Sequence, residues 1–280
     1  MDFDDKQVKD KIKEWYSKAA EYEWERLQQD PYHQIEFIIT IHFLEKYLPK
    51  KGLILDAGGG PGRYAIELAK RGYDIILVDL IPEMLEIAKK KLKEAGLTER
   101  IKQIYQWSIE DLSEFSDEKF DAVLCLGGSL GHLLNINQRE TSVKELIRVT
   151  KEGAPIFVSV ISRIGLLRTI LVEFTDEIEY ATQLWNTGDY IPNGTSGSGF
   201  APTHFFLPEE LVKLFEKQGV VILNIAGLEG LSSHHKKETN LLYENKEKWN
   251  TWLELVIETS THPSVIGSSE HFLLICRKNQ

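Results

Sequence analysis

The chain has 280 residues, 42% hydrophobic and 27% charged, a balance that fits a globular protein with a real core. Its 33 basic and 43 acidic residues leave a formal charge of −10, which disfavours a surface given over entirely to nucleic acid and leaves room for a local basic patch. Cys125 and Cys276 stand alone in apolar runs, the opening MDFDDKQVKDKIKEWY has no apolar signal core, and no apolar run nears the ~20 residues of a membrane span, so a cytoplasmic protein without membrane contact is expected.

Residues 4–48 read as helices. The second, near 33–48, repeats Ile35, Ile38, Ile39, Phe43 and Tyr47 at helical spacing and stops at Pro49. Strands predicted at Leu53–Ala57, Ile75–Asp79, Ile101–Tyr105, Ala122–Leu126 and Ile156–Ile161 then alternate with helices near 62–71, 82–95 and 137–150. LPEELVKLFEKQG is a further helix, with Glu209 and Glu210 in its first turn and Gly219 at its end. VVILNIAGL and HFLLICRK supply the last two strands. The alternation predicts an α/β fold: a doubly wound, Rossmann-like, mostly parallel seven-stranded sheet with helices on both faces.

Two segments interrupt the alternation, 163–206 and 229–268. The first contains NGTSGSGFAP, a candidate lid or an ordinary loop. The expected division is an N-terminal helical cap (1–48), a Rossmann-like core (49–162), a first lid insertion (163–206), core again (207–228), a second lid insertion (229–268) and the last core strand (269–280).

Residues 53–80, LILDAGGGPGRYAIELAKRGYDIILVDL, carry the densest signal. Glycines between a strand and a helix allow tight turns and close backbone approach, and the amides opening the helix point into the crevice. A dinucleotide loop reads GxGxxG, but counting from Gly58 puts Arg63 at the third glycine. The pattern is instead Asp56, Gly58, Gly60, Gly62, with Gly59 between. A carboxylate at Asp56 would repel a pyrophosphate and suits a ligand with a positive amino group.

Here the sequence resembles the class I S-adenosylmethionine-dependent methyltransferases, over most of 50–162 and 205–278. The resemblance implies S-adenosylmethionine as cofactor. It makes Asp79, with Leu80 beside it in ILVDL, the acid that binds both ribose hydroxyls, two acceptor oxygens matching two donors. WSIEDL resembles that family's GDAxxL segment at the adenine, with Ser108 where an aspartate often stands and Ile109 offering a backbone amide. ELIRVTKEGAPIFVSV resembles its helix, turn and fifth strand. Leu126 and Gly127 would end the fourth strand beside the sulfonium, Gly127 leaving room for substrate. WYSKAAEYEWERL resembles the N-terminal helix covering the methionine end of the cofactor. Tyr16, Tyr22, Arg26 and His33 are candidates for the carboxylate, although an amphipathic helix with aromatic residues on the core would look the same. Arg63, which opens the helix after the glycines, would bind the same carboxylate or stand in solvent.

GGSLG at 127–131 matches the nucleophile elbow of α/β-hydrolases, with Ser129 as nucleophile and His204 or His271 completing a triad. That reading has no preceding HGGG-type segment and leaves Asp79 unexplained. His132, just after the fourth strand, and His204, in APTHFFLPEEL, are the candidates for an optional general base. His234 and His235 have no third ligand at metal spacing and read as a solvated loop, so no metal is expected.

Aromatic residues in the insertions, among them Trp185, Tyr190, Phe200 and Trp252, suit an enclosed pocket or a packed cap. A small-molecule acceptor with an O, N or S nucleophile is therefore the first reading. The DAGGG motif and the insertions also resemble the tRNA carboxymethoxyuridine methyltransferases, which makes tRNA the second. Lys89, Lys90, Lys91 and Lys93, with Lys236, Lys237, Lys246 and Lys248, would be its phosphate-binding face, or simply solvated helix faces. A non-catalytic cofactor-binding protein is the third class. Oligomeric state leaves no mark in the sequence.

Overall fold

The computed structural model describes residues 4–192 and 200–279. Helix α1 (Asp5–Arg26) opens with a reciprocal capping box between Asp4 and Gln7, and α2 (Pro31–Tyr47) with the Asp30 cap and Pro31 in its first turn. There follow β1 (Leu53–Ala57), α3 (Arg63–Lys70), β2 (Asp74–Val78), α4 (Pro82–Glu94), β3 (Ile101–Tyr105), β4 (Ala122–Cys125), α5 (Ile136–Val149) and β5 (Pro155–Ile161). The segment after β5 holds α6 (Arg163–Glu173), α7 (Ala181–Thr187) and a small ladder of β6 (Asp189–Tyr190) with β7 (Thr203–His204). After α8 (Pro208–Glu216) and β8 (Val221–Gly227) come α9 (Lys236–Tyr243), α10 (Lys246–Thr259), α11 (Pro263–Ile266) and β9 (His271–Arg277). The Gly/Ser stretch expected as a lid lies, over 193–199, outside the described residues.

Seven strands form one sheet in the order β3-β2-β1-β4-β5-β9-β8. The five strands from β3 to β5 are parallel, and β9 runs antiparallel to both β5 and β8. Strand period dictates the two cores. Ile54, Ile75, Leu77, Leu124 and Phe157 enter one, with Ile39 and Phe43 of α2 and Trp249 and Val256 of α10. Leu55, Ile76, Val78, Val123 and Val158 enter the other, with Val143 and Leu146 of α5 and Leu211 and Phe215 of α8. Cys125 and Cys276 both lie in this second core as free thiols, Cys125 pushed up to about 12 by burial. Among the described residues no helix is long and apolar enough to cross a membrane.

The chain winds outward from β1 to β3, then returns to place β4 on the other side of β1. That reversal opens a crevice beyond the carboxyl ends of β1 and β4, the place where doubly wound sheets bind ligands.

Candidate active site

A cavity occupies this crevice, walled by the loops after β1, β2, β3 and β4 and roofed by α1. Its floor is the glycine loop. Gly58 and Gly59 donate to the Val78 carbonyl at 2.7 and 3.2 Å, tying the loop to the end of β2. Gly58 has φ +72°, and a Cβ there would stand 2.4 Å from Ser129 Oγ. A Cβ on Gly59 would lie 2.5 Å from Asp56 Cγ, so the loop crosses directly over that carboxyl group. Gly62 does not line the cavity; its Cβ position lies 3.2 Å from Ala88 Cβ, so its role is to let α3 pack on α4.

Asp56 is buried, and neither carboxylate oxygen has a hydrogen-bond partner. Burial, then the Asp79 charge, pushes it up to about 7. An orphaned buried acid beneath a bare glycine loop fits a ligand bearing a positive amino group. Asp79 uses Oδ2 to accept from the Gly60 amide and Oδ1 from the Ile81 amide, each at 2.8 Å. Each oxygen keeps a lone pair, as a diol requires. Burial raises Asp79 to about 6 against the pull of those amides.

At the β3 side, Trp107 stacks on Tyr105 with ring centroids 3.9 Å apart and lines the cavity with Ser108, Ile109 and Glu110. The Ser108 hydroxyl donates to Glu110 Oε2 at 2.9 Å and keeps a lone pair free to accept. Leu80, Leu126 and Gly127 also line the wall. Gly127 has φ +72° and nothing within 4 Å of its Cβ position, so the wall is open there.

One face of α1 closes the roof through Asp5, Val8, Lys9, Ile12, Tyr16, Glu23 and Arg26, with Leu27 just past its end. Lys9 pairs with Glu110 at 3.3 Å. Tyr16 is 2.6 Å from His132 Nε2, while His132 Nδ1 sits 2.9 Å from the Pro202 carbonyl. A carbonyl only accepts, so Nδ1 carries the hydrogen and the Tyr16 hydroxyl donates to Nε2. Burial lowers His132 to about 4 and holds the Tyr16 proton well above the ordinary phenol range.

Several expected site residues lie elsewhere. Tyr22 is exposed, because a position just before Glu23 falls outside the face that meets the cavity. The His33 ring turns back onto Asp30, the cap of its own helix, with Nδ1 2.7 Å from the carboxylate. His204 is buried away from the cavity, its ring held between Asp189 at 2.5 Å and Glu210 at 2.6 Å. Arg63 does line the wall, but its guanidinium lies 3.6 Å over the Trp24 ring and donates to the Trp24 carbonyl, which makes it a strut for α1. Arg26 is clamped by Glu36, at 2.6 Å, and by Glu23. Burial raises Glu23 above its ordinary range. Glu36, Glu229 and His271 bring their side-chain ligand atoms within 4.8 Å of one another, a buried network already satisfied by Arg26 and by the His271 imidazole.

The hydrolase elbow fails on geometry. Ser129 Oγ donates to the Gly58 carbonyl at 3.0 Å and the Leu126 carbonyl at 3.3 Å, and His204 and His271 are held by other acids. Lys9, Tyr64, Trp107, Glu110 and Gln138 line the cavity without having been singled out from the sequence. The 3–4 residue spacing along α1 was a readable signal for its face, though not for what that face covers.

Residues 54–153 match the family described as methyltransferase domain. The match runs from β1 through β4 and covers the glycine loop and Asp79. The chain is 30% identical to a ubiquinone biosynthesis O-methyltransferase of Methylococcus capsulatus over 63% of its own length and 65% of that protein's. It is 34% identical to the tRNA 5-carboxymethoxyuridine methyltransferase of Escherichia coli over 27% of its length and 29% of the relative's. It thus spans less than two thirds of either relative. A solved S-adenosylmethionine-dependent methyltransferase from Methanosarcina mazei aligns with TM-score 0.60 and 20% identity, covering 85% of this chain and 97% of that one, a likeness of fold.

Proposed function

We propose that the chain transfers a methyl group from S-adenosylmethionine to a nucleophilic atom of a small molecule, and that Tyr16 and His132 align that acceptor. The observation that carries this is the single cavity with an orphaned Asp56 and a diol-ready Asp79 on one side and the Tyr16–His132 pair on the other. S-adenosylmethionine, when bound, supplies a methyl group already activated on a sulfonium. The protein's share is to bind, align and exclude water.

In this reading Asp79, Gly60, Leu80, Ile109 and Ser108 hold the nucleoside, and Asp56 with Gly58 and Gly59 faces the amino group. The acceptor enters at the open Gly127 edge. Tyr16, with its hydrogen committed to His132, offers a lone pair to a hydrogen on the acceptor's nucleophilic atom. At about 4, His132 is too weak a base to hold a proton drawn from an alcohol. The pair therefore suits an acceptor that attacks with a lone pair while still protonated, an amine above all.

The match to the Escherichia coli tRNA enzyme favours a second reading, methylation of a wobble-uridine carboxylate. A carboxylate brings no hydrogen to Tyr16. Three of the candidate phosphate-binding lysines also pair with acids: Lys89 with Glu86, Lys91 with Glu94 and Lys236 with Asp30. Incubating the protein with methyl-labelled S-adenosylmethionine and separated small-molecule and tRNA fractions decides between them. Label in the small-molecule fraction supports the first reading, and salt-sensitive label in tRNA replaces it with the second. Label in neither fraction would leave a cofactor-binding protein without transfer.

A further inference from the structure

The segment after β5 carries an apolar surface that the cavity does not use. Helix α6, RIGLLRTILVE, is apolar on more than one side, yet only part of it is buried. Ile170 packs with Leu184 and Phe205, while Leu171 and Val172 are 65% and 67% exposed. Ile178 and Trp185, just downstream, are 51% and 48% exposed. The turn after α6 and α7 both pack on α6, so these side chains belong to one small unit. A surface helix ordinarily turns polar residues outward, and clustered exposed apolar side chains mark interaction sites.

Charge selects the partner. Residues 163–185 hold Glu173, Asp176, Glu177 and Glu179 against Arg163 and Arg168. Both arginines are engaged elsewhere: Arg163 with Glu210 and the Phe205 carbonyl, Arg168 with the Ser268 carbonyl. Among the described residues no lysine or arginine pairs with any of the four acids. A phosphate backbone or anionic lipid would meet this acidic rim with like charge, and so would a second copy docked patch to patch. We propose that α6 and α7 form a docking surface for a protein partner presenting an apolar helix face flanked by lysine or arginine.

The test titrates the full chain with two synthetic amphipathic helices that share a leucine face, one carrying lysines and the other glutamates, and follows hydrogen exchange. The lysine helix is expected to bind one to one, roughly tenfold tighter than the glutamate helix, and to protect 163–185. Leu171→Ser with Val172→Ser should remove that binding while S-adenosylmethionine affinity stays unchanged. Asp176→Lys with Glu179→Lys, both at exposed positions, should reverse the preference. No binding, equal binding, protection elsewhere or an undisturbed preference in the charge-reversed variant overturns the proposal. A concentration-dependent dimer abolished by the serine variant also overturns it, by giving the surface to a second copy.

Discussion

The hydroxyl of Tyr16 donates to Nε2 of His132 across 2.6 Å, joining the roof helix α1 to the turn after β4 over 116 residues of sequence. The Pro202 carbonyl fixes the tautomer that lets it do so. Tyr16→Phe removes the only polar atom that side chain brings to the cavity. It is expected to lower kcat by roughly 100-fold or more while cofactor affinity changes little. His132→Ala should cost a similar factor, and the double variant no more than the worse single one, because the two residues act as a unit. Initial rates and calorimetry on the three variants check this.

Asp79→Ala strips the acceptor from the buried amides of Gly60 and Ile81 as well as from the ligand. Charged hydrogen bonds of this kind are worth about 1.5–3 kcal/mol, so cofactor affinity should fall roughly 10- to 150-fold. Unchanged affinity would show that the diol binds elsewhere.

Asp56 and Asp79 give the site a pH signature. Asp56 stands at about 7 and Asp79 at about 6, both above the 3.8 of a free aspartate. An acid raised in the folded state favours folding only while protonated. The cost is absent below about pH 4, grows as pH climbs and is complete above about 7, on the order of 4 kcal/mol at most for Asp56. Asp56→Asn should therefore raise Tm at about pH 8 and change it little at about pH 4. A cationic ligand group reverses the preference, so binding S-adenosylmethionine at about pH 6 should release more protons in the wild type than in the variant, where only Asp79 still titrates. Calorimetry in two buffers of different ionisation enthalpy measures this.

The His271 network acts at the other end of the scale. Burial opposes its charge, but Glu36 and Glu229 raise His271 from 6.5 to about 9. Its contribution to stability is present in full below 6.5 and is lost as pH rises through about 9. Melting curves from about pH 6 to about 10 should show that loss, and His271→Gln should flatten it.

How much of this was legible follows from range. Strand limits came within a residue or two of prediction because these strands are short apolar runs bounded by turns. Glycine loop and Asp79 are local patterns in the sequence, and they meet at Gly60 and Asp79 across a 19-residue separation. The Tyr16–His132 pair is not local, and no pattern in WYSKAAEYEWERL distinguishes Tyr16 from Tyr22 until the face against the cavity is known. His204 misled for the same reason: its partners, Asp189 and Glu210, come together only when β6 pairs with β7 and α8 follows. Arg63, expected at the carboxylate or in solvent, lies on the wall against Trp24, a partner on a helix whose docking the sequence does not encode locally.

Ser129→Ala separates the discarded elbow from its packing role. Losing the bond to the Gly58 carbonyl should cost about 0.5–1.5 kcal/mol of stability and leave methyl transfer in place. An esterase activity that vanished in this variant would restore the hydrolase reading.

The most direct measurement is calorimetric titration of S-adenosylmethionine and S-adenosylhomocysteine into the wild type and Asp79→Ala, with NAD as control. Binding of both sulfur ligands in the micromolar range, weakened in Asp79→Ala, with none of NAD, is the expected result. Binding of NAD, or of neither sulfur ligand even with candidate amine acceptors present, would contradict the assignment of this cavity.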